Sequence, residues 1–220
     1  MKIETKMKAL RQQAGYTLIE LSISVAIIAV LVMTGLYGVP RILDTNKVTT
    51  NTQQITLATA NYSKLAAMTS GTNDWATTPL YASATALTLG AMGAWAEENI
   101  LRNGTSVAYG LQHVFGGSIY SRNATTGIAG FIGPNQGYIL KLQGIPARSC
   151  FAVATAFANT AVQIEIDSSA TPTAGPITAE PLSSTVPVKS AGGALAPATL
   201  ATQCQTLPTV AKTVYLWFAY

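Results

Sequence analysis

Of the 220 residues only a tenth are charged and about half are hydrophobic, a balance that suits a protein in contact with lipid or with copies of itself rather than a free cytosolic one. The formal charge is +4, but Lys2, Lys6, Lys8 and Arg11 against Glu4 place +3 of it in the first 15 residues and leave about +1 beyond them. The length allows one ordinary domain with a long appended element, or two small domains, and the near-neutral remainder argues against nucleic-acid binding through a basic stripe.

The basic, polar leader stops at Gly15, and the run Gly15-Tyr16-Thr17-Leu18-Ile19-Glu20 sets a lone carboxylate before 19 uncharged residues, 21–39. An ionised side chain at membrane depth costs about 2.5 to 3.5 kcal/mol even on lenient insertion scales, so Glu20 reads as functional. The apolar run is close to the roughly 20 residues that span a bilayer. Positive charge on its N-terminal flank keeps that side cytoplasmic and puts the rest of the chain outside. A secretory signal would need a small-x-small cleavage site after the run, and Leu36-Tyr37-Gly38-Val39-Pro40 is a weak match. A plain anchor explains the length but neither Glu20 nor the glycine five residues before it.

From Thr17 the pattern predicts one long helix, apolar nearly all round to about Val39. Pro40 removes a backbone donor and should kink or loosen it, with Gly35 and Gly38 weakening the preceding turn. Beyond it Ile42, Val48, Ile55, Leu57, Tyr62 and Leu65 recur at mixed helical spacings and predict an amphipathic half facing a head domain. The helix should end in the Thr-Ser-Gly-Thr-Asn cluster at residues 69–73. Residues 91–101 predict a short helix. Apolar runs at 107–115, 117–120, 128–132 and 138–142, separated by turn residues, predict an antiparallel sheet. Residues 149–159 predict a small helix capped by Ser149, and 161–167 a strand. Residues 213–220, β-branched and aromatic, make the strongest strand signal. Residues 168–197 hold five of the ten prolines and predict an exposed loop, read either as a linker within the head or as an adhesive or antigenic surface.

The order of parts around Gly15 and Glu20 resembles the prepilin signature of type IV pilins. The resemblance implies cleavage after Gly15 by a dedicated prepilin peptidase, methylation of the new N-terminal Tyr16, and a role for Glu20, fifth residue after the cut, in guiding assembly. It implies a pilin-like α+β fold: leader 1–15, a helix over 16–69 that is first membrane anchor and then filament core, and a head over 70–220 carrying an antiparallel sheet. Pro40 departs from the better known type IVa pattern, lying a few residues beyond where that helix has its proline.

Cys150 and Cys204 are the only cysteines, and an even pair in a domain expected outside the cytoplasm favours a disulfide over two independent buried thiols. Type IV pilins carry such a pair near the C-terminus. Its wide separation, the long leader, the large mature chain and a first mature residue other than phenylalanine resemble the type IVb subclass.

His113, the only histidine, has no adjacent carboxylate and reads as structural. The pairs Glu97-Glu98 and Glu165-Asp167 read as solvent-facing. There is no metal-ligand spacing and no phosphate-binding glycine loop, so neither an enzyme nor a cofactor is expected. The expectation is therefore a structural subunit of a type IVb-like pilus, held in the inner membrane with its head in the periplasm. An inner-membrane assembly platform with an ATPase would polymerise it into a surface fimbrium for attachment, aggregation or mating contact. Within the family the competitors are a minor pilin and a type II secretion pseudopilin. Outside it they are a membrane-anchored binding domain that never polymerises and a DNA-uptake receptor, for which the mature chain lacks the basic stripe.

Overall fold

The computed structural model describes residues 17–68, 93–103, 107–169, 177, 182 and 185–220. The architecture is α+β, a long N-terminal helix followed by an antiparallel sheet. Helix α1 is Leu18–Met68 and passes Pro40 without a break. The chain divides into two compact units, Met1–Leu43 and Asp44–Tyr220. In the first, the aliphatic side chains described from Leu18 to Leu43 are exposed.

In the second unit, α1 contributes Val48, Asn51, Ile55, Ala58 and Tyr62 to the interior, a spacing of three and four that keeps one stripe against the core. Two residues expected on the apolar face are exposed, Ile42 at 62% and Leu57 at 66%. Leu57 is two positions, about 200° of helical rotation, from Ile55, so the two cannot share a face. The Leu65 side chain lies outside the described residues.

The sheet has seven strands, β1 Ile100–Asn103, β2 Val107–Gln112, β3 Ser118–Asn123, β4 Gly137–Ile145, β5 Gln163–Asp167, β6 Val186–Lys189 and β7 Lys212–Ala219, in spatial order β1-β2-β3-β4-β7-β5-β6 with every neighbour antiparallel. The strand expected at residues 213–220 is thus β7, third from one edge, which accounts for its burial from Lys212 to Phe218. One face carries Tyr138, Leu140, Leu142, Ile164, Ile166, Val214, Leu216 and Phe218 into the core with Ile55 and Tyr62. The opposite face carries Ile139, Tyr215 and Trp217 under Ala124 and Ile132.

Several boundaries differ from the sequence reading. Residues 91–101 do not form a helix where described: a 3-10 turn, Glu97–Asn99, leads directly into β1. The Asn99 amide donates to Gln54 Oε1 at 2.9 Å and to the Gln112 carbonyl at 3.0 Å, fixing that turn against α1 and β2. Strand β2 ends at Gln112 because His113 and Gly116 close a tight turn, Gly116 N–H to His113 O at 2.8 Å. A side chain at Gly117 would place its Cβ 1.8 Å from the Gln143 carbonyl oxygen, so only glycine lets the turn lie on β4. Residues 128–132 form a turn with one isolated bridge, Ile128 to Ile132, rather than a strand. Strand β3 instead runs on through Arg122-Asn123, past the expected run at 117–120.

Helix α2 is Ala147–Ala156 and starts after Pro146, so Ser149 lies inside it, buried, and does not cap it. Helix α3, Pro197–Gln205, was not foreseen; its proline sits in the first turn, where no N–H is needed. Within 168–197, β6 carries Pro187 on the sheet edge, the position a strand proline tolerates.

Candidate functional site

The start of α1 is built by two side chains. The Glu20 carboxylate accepts from the Thr17 backbone N–H at 3.0 Å and the Thr17 hydroxyl at 3.0 Å, and Thr17 Oγ1 accepts from the Glu20 N–H at 3.3 Å. This is a reciprocal capping box: the first N–H groups of a helix have no intrahelical acceptor, and Thr17 and Glu20 satisfy each other's. The acidic side chain also lies at the positive end of the helix dipole. The Thr-x-x-Glu spacing before an apolar run is the sequence signal for this motif, and Thr17 is the residue that sequence reasoning passed over. Gly15 and Tyr16 lie outside the described residues.

The apolar run that follows carries hydroxyls bonded within the helix. Ser22 Oγ donates to Ile19 O at 2.8 Å, Ser24 Oγ to Glu20 O at 2.8 Å, and Thr34 Oγ1 to Leu31 O at 2.9 Å. Hydroxyls bonded back to the preceding turn make a polar sequence acceptable in hydrocarbon, where each unsatisfied group costs several kcal/mol. Within Leu18–Lys64 the structure has one helix long and apolar enough to cross a membrane, and none of its apolar window is buried by the rest of the chain.

In the head, Cys150 of α2 and Cys204 of α3 are joined by a disulfide with Cα atoms 5.6 Å apart and a sequence separation of 54. Both are buried in the core between the helices and the sheet. The bond pins α3, and with it the far end of the Pro-rich segment, onto α2. Two residues before Cys150 the Arg148 guanidinium pairs with Asp44 of α1, Nε to Oδ2 at 2.6 Å and Nη2 to Oδ1 at 3.2 Å. With Arg148 70% exposed the pair orients α2 against the helix more than it stabilises it.

His113 is 2% exposed, its Nδ1 accepting from the Phe115 N–H at 3.2 Å and its Nε2 facing the Gln143 carbonyl at 2.8 Å. That arrangement requires the neutral tautomer with the proton on Nε2, and burial pushes its pKa down to about 4. Glu165 and Asp167, read as solvent-facing, are buried on the sheet face away from α1. Their register explains it, since they lie opposite Tyr215 and Thr213 of β7, with β6 on the other side. Lys141 on the same face is buried with its Nζ over the rings of Tyr120 and Tyr215, at 5.5 and 5.7 Å from the centroids. Lys212 donates to the carbonyls of Thr206 and Leu207, placing a cation at the C-terminal end of α3. Among the described residues no three His, Cys, Asp or Glu side chains converge as metal ligands.

Comparison with known proteins falls on the N-terminus. Residues 10–36 match the family described as the prokaryotic N-terminal methylation motif, the type IV prepilin signal. The match takes in residues 10–15, the Gly15-Tyr16 junction, Thr17, Glu20 and most of the apolar run. Among solved structures the chain is similar to the type IVb pilin from Salmonella typhi, with 14% identity, a TM-score of 0.48, and coverage of 76% of this chain and 99% of that one. No curated protein matches the sequence.

Proposed function

We propose that this chain is a structural, non-enzymatic subunit of a type IV pilus of type IVb character. The observation that carries the reading is the methylation motif at residues 10–36 running into an exposed apolar helix, with a disulfide-stapled α+β head behind it. In this reading residues 1–15 are a leader removed by a prepilin peptidase, Tyr16 becomes the methylated N-terminus, residues 16–69 anchor and then polymerise, and residues 70–220 form the head. The precursor sits in the inner membrane with its head in the periplasm, and an assembly platform with an ATPase builds it into a surface fimbrium.

The physics of assembly follows from the first turn. Between apolar helices in lipid there is little hydrophobic drive to associate, so polar pairing and packing must set the register. Cleavage after Gly15 creates an α-ammonium on Tyr16 that a neighbouring subunit's Glu20 can neutralise. Burying either charge alone costs several kcal/mol, and pairing offsets much of that cost. The Thr17 contacts hold the carboxylate in place while the subunit waits in the membrane. Ser22, Ser24 and Thr34, already bonded within the helix, pass from lipid to a dry filament axis without new partners. The disulfide and the large head favour a pilin over a pseudopilin.

Electron microscopy of sheared surface material, labelled with antibody to the head, tests this. Regular labelling along thin fibres is the expected outcome; label confined to membrane fragments, with no fibre, would favour the non-polymerising anchored domain.

A further inference from the structure

The ion pair between Asp44 and Arg148 lies close in the chain to the apolar run. Asp44 is five residues beyond Val39, where that run ends. Five residues reach at most about 18 Å when fully extended and about 8 Å as helix, the state α1 has through this stretch. Headgroups add about 5–7 Å to each side of a bilayer's hydrocarbon. With the run as membrane anchor, Asp44 is therefore tethered at the outer edge of the headgroup layer, and whatever touches it is tethered there too. Arg148 touches it, through Nε at 2.6 Å and Nη2 at 3.2 Å, and is 70% exposed. A guanidinium has five N–H donors, so the two bonds to Asp44 leave three without a partner among the described residues. Phe151, 43% exposed, lies three positions after Arg148 on α2, and Lys47, exposed, three positions after Asp44 on α1. Positions three apart are neighbours on a helix surface.

The face thus carries open guanidinium donors, a second cation and an exposed ring. Its two cations outnumber the one carboxylate, so an anionic partner is favoured. Phosphate oxygens match the planar donors of arginine, and an interfacial helix holds a surface through apolar side chains and cations together. We propose that the Arg148–Phe151 face of α2 docks on the bilayer that holds the precursor, with Arg148 and Lys47 on the phosphates of anionic lipids and Phe151 among the headgroups. The contact keeps the stored head beside its anchor and is given up when the subunit leaves the membrane. The inference rests on the membrane-anchored precursor of the pilus reading and not on polymerisation.

The test is NMR relaxation on the full chain, one copy per lipid nanodisc, with a spin label on a small share of the headgroups. Discs are made of phosphatidylcholine alone, or of phosphatidylcholine and phosphatidylglycerol in equal parts. In the mixed discs the Arg148 Nε–H and the Phe151 amide should relax several-fold faster than the amide of Phe131, which lies in a turn packed on the opposite sheet face. Read at the Phe151 amide, Arg148→Gln should lower the contact equilibrium about fivefold, the effect of one basic residue at an anionic surface. Read at Arg148 Nε–H, Phe151→Ser should weaken the contact with the Asp44 pair intact, and thermal melts matching wild type will show that the heads are folded. Equal relaxation at Phe131 and Phe151, the same relaxation in phosphatidylcholine discs, or no change in folded Phe151→Ser overturns the proposal. So does an effect seen only in discs that hold two copies, which would make the face an interface between subunits. Fibres scored on the same variants separate the two readings: normal fibres without lipid contact sink only the docking, and lipid contact without fibres sinks only the pilus.

Discussion

Thr17 and Glu20 hold each other at the head of α1, the Glu20 carboxylate accepting from the Thr17 N–H and hydroxyl and the Glu20 backbone N–H donating to Thr17 Oγ1. Glu20 thus has a local reason to occupy its position as well as the proposed intersubunit one, and the two are separable. Glu20→Gln keeps a side chain that completes a capping box but removes the charge. Thr17→Ala keeps the charge and loses the cap, at about 0.5–2 kcal/mol of helix stability. The account predicts that Glu20→Gln and Glu20→Ala are inserted, cleaved and then fail to form fibres, whereas Thr17→Ala forms them at reduced yield. Normal fibre yield from Glu20→Gln, scored by shearing and microscopy, would assign Glu20 to capping alone.

The disulfide should matter through the head. Closing a loop of 54 residues is worth about 4 kcal/mol in the chain-entropy description, a large share of an ordinary domain's stability of about 5–15 kcal/mol. Cys150→Ser should leave a cleaved, membrane-inserted subunit with a protease-sensitive head and scarce fibres. Limited proteolysis in membranes checks it: equal protease resistance of mutant and wild-type heads would remove the staple from the account.

How much of this was legible in the sequence depended on whether the cause is local. The leader, Glu20 and the apolar run are written in adjacent residues, and Thr213 to Phe218 announce a strand by composition alone. Thr17 was legible too, since its spacing to Glu20 is the capping signature, but the charge of Glu20 supports two explanations and the electrostatic one hid the local one. The row that places Glu165 beside Tyr215 and Lys141 was not legible, because it depends on β7 lying between β4 and β5, a pairing of segments far apart in the chain. For the same reason Glu165 and Asp167, whose sequence alternates like an exposed strand edge, proved buried. Ser149 failed as a cap because Pro146, without a donor of its own, already starts the helix three residues earlier.

Acid should loosen the head through His113. Its pKa is lowered from 6.5 to about 4, so its neutral form is favoured in the folded state. Its contribution is complete above pH 6.5 and is lost as pH falls through that interval, by up to about 3 kcal/mol. Urea unfolding of the full chain in detergent, near neutral pH and near pH 4.5, should show a steeper loss in wild type than in His113→Gln. Equal pH dependence in both would contradict the buried neutral ring.

Tyr62 links α1 to the head. Its hydroxyl accepts from the Trp95 indole N–H at 3.0 Å and bonds Ser121 Oγ at 3.2 Å, and its ring stacks on Tyr138 at 4.8 Å. Tyr62→Phe preserves the stacking but strands the Trp95 donor, so thermal melts should report a loss of about 1–3 kcal/mol. Burial raises the Tyr62 pKa from 10 to about 12, so its contribution is intact below pH 10 and is lost as pH rises through that interval. A Tyr62→Phe head as stable as wild type would remove the hydroxyl network from the account.

The most direct measurement of the central claim is the intact mass of the subunit taken from sheared surface fibres. The account predicts a chain that begins at Tyr16, carries one added methyl group and contains no free thiol. A subunit in fibres that retains Met1 to Gly15, or that starts after Gly38 as a secretory signal would require, would contradict it.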